Sequence, residues 1–184
     1  MRIIAGTARG IPLKSPLDST IRPTLDRIRE SCFNMLAPYL EDARFLDLYA
    51  GTGANGIEAL SRGAKFALFV DHSSEGIELI QQNLLKTRLD TMAKVKKAKL
   101  PQSLKTMGIK PKFDIIFADP PYDTDELSPL LHEILVSDIL DPKGILVIEH
   151  NAKASIPETE GSLQLARTKV YGNTQLSWYE MCDQ

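Results

Sequence analysis

The sequence predicts an α/β fold built on a mostly parallel sheet, and three features of the chain predict it. From residue 45 onward, short apolar runs alternate with segments of helical periodicity, which is the pattern of right-handed βαβ units. A glycine-rich turn directly follows the first apolar run, where open α/β sheets bind ligands. Two later runs separated by residues 171–174 indicate an antiparallel hairpin at one edge of the sheet.

The elements follow one another in a regular order. Strands are predicted at residues 45–49, 66–70, 92–95, 113–118 and 144–149, and the hairpin at residues 163–170 and 175–180. Helices are predicted from the glycine turn to about residue 62, from about residue 74 onward and over residues 127–136. The apolar side of the second of these helices is expected to comprise Ile77, Ile80, Leu84 and Leu85.

The first forty residues differ in character from the rest. Residues 1–20 predict extended, turn-rich structure, and Pro23 then introduces a helix that Thr24 can cap, with Asp26 in its first turn. The residues expected on its buried stripe are Leu25, Ile28, Cys32, Met35 and Leu36, and those off it are Arg22, Arg27 and Arg29. We expect one domain over residues 1–184, with an N-terminal extension and helix at 1–40 and a Rossmann-like core at 41–184.

The composition is that of a soluble globular protein, with 25% charged and 43% hydrophobic residues in 184. No apolar run is long enough to span a membrane, and the first residues lack the apolar region of a signal peptide. Cys32 and Cys182 lie far apart without metal-ligand spacing, and the three histidines are scattered. We therefore expect free thiols, no metal and a cytoplasmic location.

The net charge of −2 is distributed unevenly along the chain. Residues 1–29 carry six basic against two acidic side chains, and residues 86–112 carry nine against one. Residues 113–184 carry thirteen acidic against four basic side chains. Because the local field steers a polyanion, a basic face for a nucleic acid remains open, although a solvated lysine-rich helix or loop explains 86–112 equally well.

The glycine turn has the features of a cofactor site. Gly51 and Gly53 belong to a G-x-G-x-x-G sequence after a strand, and Asp71 follows about twenty residues later, where a carboxylate can bind the ribose of an adenosine. This pattern suits a nicotinamide dinucleotide as well, and the glycines could also serve helix packing alone. Asp47 favours S-adenosylmethionine, because a carboxylate beside the turn suits an ammonium group and would repel a pyrophosphate.

A second motif follows the fourth predicted strand. Asp119, Pro120, Pro121 and Tyr122 place a carboxylate, carbonyls without competing N–H donors and an aromatic ring at the ligand-binding edge of the sheet. An acceptor pair beside a stacking surface suits a planar substrate with an exocyclic amine. An ordinary strand ending in an Asp-Pro turn is the simpler alternative.

At this point the chain resembles the RsmD-type methyltransferases, which act on the exocyclic N2 of a guanine in bacterial small-subunit (16S) ribosomal RNA. The motifs that carry the resemblance are residues 1–6 (MRIIAG), 22–30 (RPTLDRIRE), 33–36 (FNML), 46–53 (LDLYAGTG), 58–64 (EALSRGA), 119–122 (DPPY) and 171–174 (YGNT). The RPT block joined to the DPPY tetrad is much more specific than either the glycine turn or the tetrad alone. The resemblance implies a class I S-adenosylmethionine-dependent methyltransferase with a seven-stranded sheet, helices on both faces, a C-terminal antiparallel hairpin and a small N-terminal extension.

Matching positions also imply roles for individual residues. The cofactor-binding set would be Asp47, Gly51, Thr52, Gly53, Asp71 and Leu100, and the catalytic set Asp119, Pro120 and Tyr122. The residues facing the RNA would be Arg9, Arg22, Thr24, Arg27, Arg29 and Pro121. Lys99 departs from the family pattern, since related proteins commonly carry an acidic residue there near the adenine amine. The adenine would then be held by backbone near Leu100 and by apolar packing.

The resemblance further implies a monomer acting on small-subunit ribosomal RNA or the assembling small subunit, with S-adenosylhomocysteine as product. Four alternatives remain. The tetrad also suits an adenine-N6 DNA methyltransferase, against which the lack of a separate target-recognition domain weighs, or a protein-glutamine methyltransferase. A nicotinamide-dependent oxidoreductase could use the glycine turn, and a non-catalytic RNA-binding module could use the basic face.

Overall fold

The computed structural model describes residues 1–16, 23–121 and 127–182, and at residues 23–25 the backbone alone. Within these residues the α-helices are α1 (Pro23–Leu40), α2 (Ala54–Ser61), α3 (Ser74–Thr87) and α4 (Leu127–Val136). The strands are β1 (Arg44–Leu48), β2 (Phe66–Asp71), β3 (Ala93–Lys97), β4 (Phe113–Ala118), β5 (Leu140–Asn151), β6 (Thr159–Glu160), β7 (Leu163–Tyr171) and β8 (Thr174–Met181). Two 3₁₀ helices span Asp90–Met92 and Leu104–Thr106.

The strands form one sheet in the order β3-β2-β1-β4-β5-β8-β7-β6. The first five are parallel, whereas β8 runs antiparallel between β5 and β7. This arrangement confirms the class I methyltransferase architecture, with the predicted hairpin at the edge. The structure adds an eighth strand, β6, which pairs with β7 through two residues and is too short to show strand periodicity in the sequence.

The central strands β1, β2 and β4 are buried on both faces of the sheet, which explains why they read as continuous apolar runs. Phe45 and Ile115 pack into a core that contains side chains of α1, α2 and α3. Leu46 and Ile116, one residue further along the same strands, pack into a second core with α4 and the 3₁₀ helix Leu104–Thr106. The predicted placement of helices on both faces is therefore correct.

The N-terminal residues lie against α2 through buried polar groups. The Glu58 carboxylate accepts hydrogen bonds from the backbone nitrogens of Ile4 at 2.8 Å and Ala5 at 3.0 Å. The hydroxyl of Ser61 accepts a further one from the backbone nitrogen of Ala8 at 2.9 Å. A charged side chain that is fully buried is thus matched by backbone donors, and the extension is anchored to the core.

Two details of the helices differ from the predictions. Helix α1 begins at Pro23, a residue suited to the first helical position, so Thr24 lies in the first turn rather than at the cap. In α3, Ile80 and Leu84 are buried as predicted, but Leu85 is 64% exposed. Asn83 occupies the buried side instead because its amide is satisfied by the backbone of Lys14.

Among the described residues, no helix has the length and apolarity that crossing a bilayer requires.

Candidate active site

The glycine turn connects the carboxyl end of β1 to the start of α2. Gly51 and Gly53 both adopt positive φ angles, of 54° and 77°, which a residue with a side chain reaches only under strain. Gly53 also precedes the first residue of α2, so the helix points its free backbone N–H groups toward this turn. Thr52 lies between the two glycines, and its carbonyl accepts a hydrogen bond from Asn83 at 2.9 Å.

Asp71 ends β2 beside this turn. One of its oxygens accepts a hydrogen bond from the backbone nitrogen of Gly51 at 2.8 Å, and the other accepts one from Ser73 at 2.8 Å. The carboxylate is 6% exposed. Since each carboxylate oxygen can accept two hydrogen bonds, Asp71 holds the turn and retains capacity for the hydroxyls of a ribose.

Asp47 lies in β1 beneath the turn and is 1% exposed. Its Oδ2 accepts a hydrogen bond from the backbone nitrogen of Gly56 at 2.8 Å, whereas its Oδ1 has no hydrogen-bond partner among the residues that the structure describes. The pKa of Asp47 is raised to about 8, chiefly by burial, while the Gly56 hydrogen bond lowers this pKa and the charge of Asp71 contributes to the rise. A buried acceptor of this kind fits a cationic ligand group such as the ammonium of S-adenosylmethionine.

A cleft of about 170 Å³ opens at the same edge of the sheet. The residues that line it are Tyr49, His72, Ala98, Lys99, Leu100 and Pro121. These side chains come from the carboxyl ends of β1, β2, β3 and β4, and Leu100 itself is buried. One lining residue, His72, directly follows Asp71, so the cleft lies next to the glycine turn. Its largely apolar lining suits the flat face of a ring such as adenine. Lys99 is exposed at its rim.

Asp119 and Pro120 follow β4 at the centre of this edge. The backbone nitrogen of Asp119 donates a hydrogen bond of 3.4 Å to the carbonyl of Leu48, which ties the Asp-Pro turn to the end of β1. Burial raises the pKa of the Asp119 carboxyl well above its usual range, and the charges of Glu149 and Asp47 raise it further. Pro120 is buried and Pro121 is exposed. Tyr122 lies outside the described residues.

The structure separates the arginines that the sequence grouped together. Arg9 and Arg27 are exposed and line a groove of about 460 Å³, the basic groove, whose other charged members are Arg2, Asp26 and Glu30. Arg29 is only 6% exposed, so its predicted place off the buried stripe is wrong. Its guanidinium donates to Asp26 at 2.9 Å and to the carbonyl of Arg2 at 2.7 Å. Arg22 and the side chain of Thr24 lie outside the described residues.

Sequence reasoning missed three buried polar residues near this edge. Asn83 donates to the glycine turn, Glu149 ends the apolar part of β5, and His150 contacts the Ser177 hydroxyl through Nε2 at 2.8 Å. His150 is buried, and burial lowers its pKa. Glu149 could have been found from the sequence, since an acidic residue directly after a buried parallel strand lies at the ligand-binding edge.

Comparison with known proteins decides the family. The family described as "Conserved hypothetical protein 95" matches residues 1–180. "Ribosomal RNA small subunit methyltransferase D" of Escherichia coli (strain K12) is 32% identical over 180 residues, covering 98% of this chain and 89% of that protein. The chain belongs to the RsmD family.

Other members of this family agree in length and fold. "Putative rRNA methyltransferase YlbH" of Bacillus subtilis (strain 168) is 38% identical over 181 residues, covering 98% of each chain. The solved structure of "Putative methyltransferase yhhF from Escherichia coli" superposes with a TM-score of 0.86 at 31% identity, covering 100% of this chain and 99% of that one. Family membership and fold together identify the chain as a methyltransferase.

Proposed function

We propose that the protein transfers a methyl group from S-adenosylmethionine to the exocyclic N2 amine of a guanine in small-subunit ribosomal RNA. The observation that carries the proposal is the meeting, at one sheet edge, of the buried Asp47 acceptor, the glycine turn and the Asp119-Pro120 turn. The name of the Escherichia coli relative supports ribosomal RNA as the substrate. We further propose that the protein acts as a monomer in the cytoplasm.

In the proposed arrangement, the cofactor lies across the carboxyl ends of β1, β2 and β3. Asp47 would bind the ammonium of the methionine moiety, Asp71 the ribose hydroxyls, and the cleft beside Leu100 the adenine. Gly51, Thr52 and Gly53 would let the backbone approach the bound molecule closely. When bound, S-adenosylmethionine supplies an activated methyl group on a positively charged sulfur.

The Asp119-Pro120 turn would hold the accepting amine. A guanine N2 is a poor nucleophile because its lone pair is delocalised into the ring. Acceptance of its two N–H groups by the Asp119 carboxylate and the Pro120 carbonyl would pyramidalise the nitrogen and direct the lone pair toward the methyl group. Such catalysis rests on positioning and electrostatics, and it requires Asp119 to be ionised.

The target base must leave its stack or be unpaired to reach this edge. Tyr122 would replace the lost stacking, and Pro121, which lines the cleft, would contact the base from the cofactor side. Arg9 and Arg27 in the basic groove would bind RNA phosphates at the N-terminal extension. Arg29 supports this surface indirectly, since it holds the backbone of Arg2.

A methyl-transfer assay with radiolabelled S-adenosylmethionine tests the proposal. The acceptors are naked 16S ribosomal RNA, assembled small subunits and DNA, with the methylated nucleoside identified by mass spectrometry. We expect N2-methylguanosine from one of the two RNA acceptors. N6-methyladenine in the DNA, transfer to a ribosomal protein, or NAD binding without S-adenosylmethionine binding would each contradict the proposal.

Variants at the two ends of β4 connect this activity to the Asp-Pro turn. Asp119→Ala should lower turnover by orders of magnitude while it leaves cofactor binding intact, because it removes the acceptor for the amine. Asp114→Ala is the matched control, since Asp114 lies on the same strand at the opposite edge, where it accepts a hydrogen bond from the backbone nitrogen of Arg44 at 2.7 Å. Wild-type turnover of Asp119→Ala would show that the active site lies elsewhere.

A further inference from the structure

Asp119 has a carboxyl neighbour across the sheet. Parallel strands β4 and β5 pair Phe117 with Val147 and Ala118 with Ile148. One residue further along both chains are Asp119 and Glu149. Strand alternation directs Glu149 to the same side of the sheet as Val147, and we infer the same side for Asp119, which directly follows β4 and whose backbone nitrogen still bonds to Leu48 of β1. Neighbouring strands are only about 4.8 Å apart, so the register brings the two carboxyl groups together.

The surroundings place Glu149 between this edge and helix α1. Glu149 is 8% exposed. Its charge raises the pKa of Asp119, and it also contributes, after burial, to a pKa of the Cys32 thiol in α1 above its ordinary value. The buried Glu149 carboxyl therefore interacts electrostatically with both Asp119, after β4, and Cys32, in α1. No role for Glu149 follows from the binding of the cofactor or of the amine described above.

We propose that Glu149 is a positioning residue that shares a proton with Asp119 and so sets the pH range in which Asp119 can hold and deprotonate the methyl-accepting amine. The inference rests on the proposed function. Two carboxyl groups at close range in a buried site cannot both ionise easily, so their protons leave in two steps that belong to the pair. A separate sign that this edge receives a ligand is the buried, unpartnered Oδ1 of Asp47, among the described residues.

The chemistry requires such a proton acceptor. As the methyl group moves, the N2 lone pair forms the new N–C bond, and the C–S bond breaks with its electron pair left on sulfur. The nitrogen then carries two hydrogens, two carbons and a positive charge, and it must lose one proton. The Asp119 carboxylate, already hydrogen-bonded to that nitrogen, receives the proton, and the charge of Glu149 increases its basicity for this step.

Other ionisable groups near the pair are few in the described part of the chain. The charge of Asp47 in β1 raises the pKa of Asp119, while the thiol of Cys32 in α1 interacts with Glu149 and, in turn, with Arg62. The high pKa of Cys32 keeps its thiol protonated. His150 follows Glu149 but is directed to the other side of the strand, where its ring contacts Ser177 of β8. Glu149 is accordingly the residue to change.

The first test is the pH dependence of single-turnover methylation of the RNA acceptor, measured with the full chain. In the wild type the rate should fall as the pH drops, because a protonated Asp119 cannot accept the amine. We call this fall of the rate toward low pH the acidic limb. Glu149→Gln should move the acidic limb to lower pH by about one unit or more, since it removes the negative charge beside Asp119. Glu149→Asp, which retains the charge, should keep the limb near its wild-type position.

Glu180→Gln is the matched control, because Glu180 is exposed on β8 and pairs with Ile145 toward the opposite edge of the sheet. It should leave the profile unchanged. If the acidic limb of Glu149→Gln stays at the wild-type pH, even with a lower methylation rate, the proposal is overturned. Glu149 would then have a structural role only.

A second readout needs neither cofactor nor RNA. The pKa of Asp119 is higher in the folded than in the unfolded chain, so the folded protein binds more protons above about pH 4 and its stability falls as the pH rises toward the folded pKa. Glu149→Gln should make the melting temperature fall less between pH 5 and pH 8 than in the wild type or in Glu180→Gln. An equal fall in all three proteins would refute the carboxyl pair, whereas an absence of methyl transfer by the wild type would refute the proposed function alone.

Discussion

The carboxylate of Asp71 accepts a hydrogen bond of 2.8 Å from the backbone nitrogen of Gly51, so the residue that ends β2 also holds the turn that follows β1. The two parts of the proposed cofactor site are thus one unit. A change at Asp71, the proposed ribose ligand, must also disturb the glycine turn, so we expect cofactor affinity and turn geometry to change together.

Asp71→Ala should therefore have two effects. It should weaken S-adenosylmethionine binding by about 1–3 kcal/mol, the cost of unpairing buried polar groups, and it should lower the melting temperature because the Gly51 and Ser73 nitrogens lose their acceptor. Calorimetry and thermal melting measure the two effects. Glu75→Ala, an exposed change in the first turn of α3, is the control, and unchanged affinity in Asp71→Ala would contradict the assignment.

Asp47 should make both stability and cofactor binding depend on pH. Its folded pKa of about 8 exceeds the usual value of 3.8, so the cofactor-free protein binds an extra proton in this interval and loses stability as the pH rises through it. Asp47→Asn should remove this loss, which thermal melting at pH 5 and pH 8 would reveal. The same variant should bind S-adenosylmethionine more weakly, by about 1.5–3 kcal/mol, because an amide cannot pair with an ammonium.

Unchanged cofactor affinity in Asp47→Asn would refute the assignment of Asp47 to the ammonium group. If Asp47→Asn bound the cofactor as tightly as the wild type at pH 8, the unpartnered Oδ1 would serve another purpose. Proton uptake or release on binding, measured by calorimetry in buffers of different ionisation heat, gives an independent check. The wild type should release protons when a cation binds beside Asp47 at neutral pH, and the variant should release fewer.

Arg27 and Arg29 lie two residues apart in α1 and should behave differently. Arg27→Ala should weaken RNA binding and reduce the slope of log affinity against log salt by about 1, with little change in melting temperature, because Arg27 is exposed in the basic groove. Arg29→Ala should lower stability by about 1–3 kcal/mol, because it leaves Asp26 and the Arg2 carbonyl without their donor. An unaltered salt slope in Arg27→Ala would direct attention to the lysines of residues 86–112.

Tyr122 should be needed for its ring rather than its hydroxyl. Tyr122→Ala should weaken productive binding of the target base by about 1–3 kcal/mol, the value of one base–aromatic stack. Tyr122→Phe should retain most activity because the ring remains. Steady-state methylation with the RNA acceptor measures both variants. A loss of equal size in the two would assign the role to the hydroxyl instead.

The parts of the molecule that follow from local sequence could be predicted. The β1–turn–α2–β2 unit, the position of Asp47 beside the turn and the Asp119-Pro120 turn at the sheet edge each depend on residues close together in the chain. The mostly parallel sheet with a C-terminal antiparallel hairpin, which the resemblance implied, is also confirmed. These features are specified by residues close together in the chain or by motifs common to the family, so the sequence alone predicts them.

The features that escaped prediction depend on distant partners. Arg29 is buried because the Arg2 carbonyl, 27 residues earlier, accepts its hydrogen bond. Asn83 replaces Leu85 on the buried side of α3 because the backbone of Lys14, 69 residues away, satisfies its amide. The Asp119–Glu149 relationship depends on the register between β4 and β5. Helical and strand periodicity contains no information about such partners.

The strand order also bears on how the chain folds during synthesis. Strand β8 is made after β7 yet lies between β7 and β5, so the edge of β5 stays unpaired until β8 has left the ribosome. An unpaired apolar strand edge is a template for pairing with other chains. The nascent protein is therefore most exposed to misassociation before β8 emerges, and loss of residues 174–181 should cause aggregation rather than a merely smaller sheet.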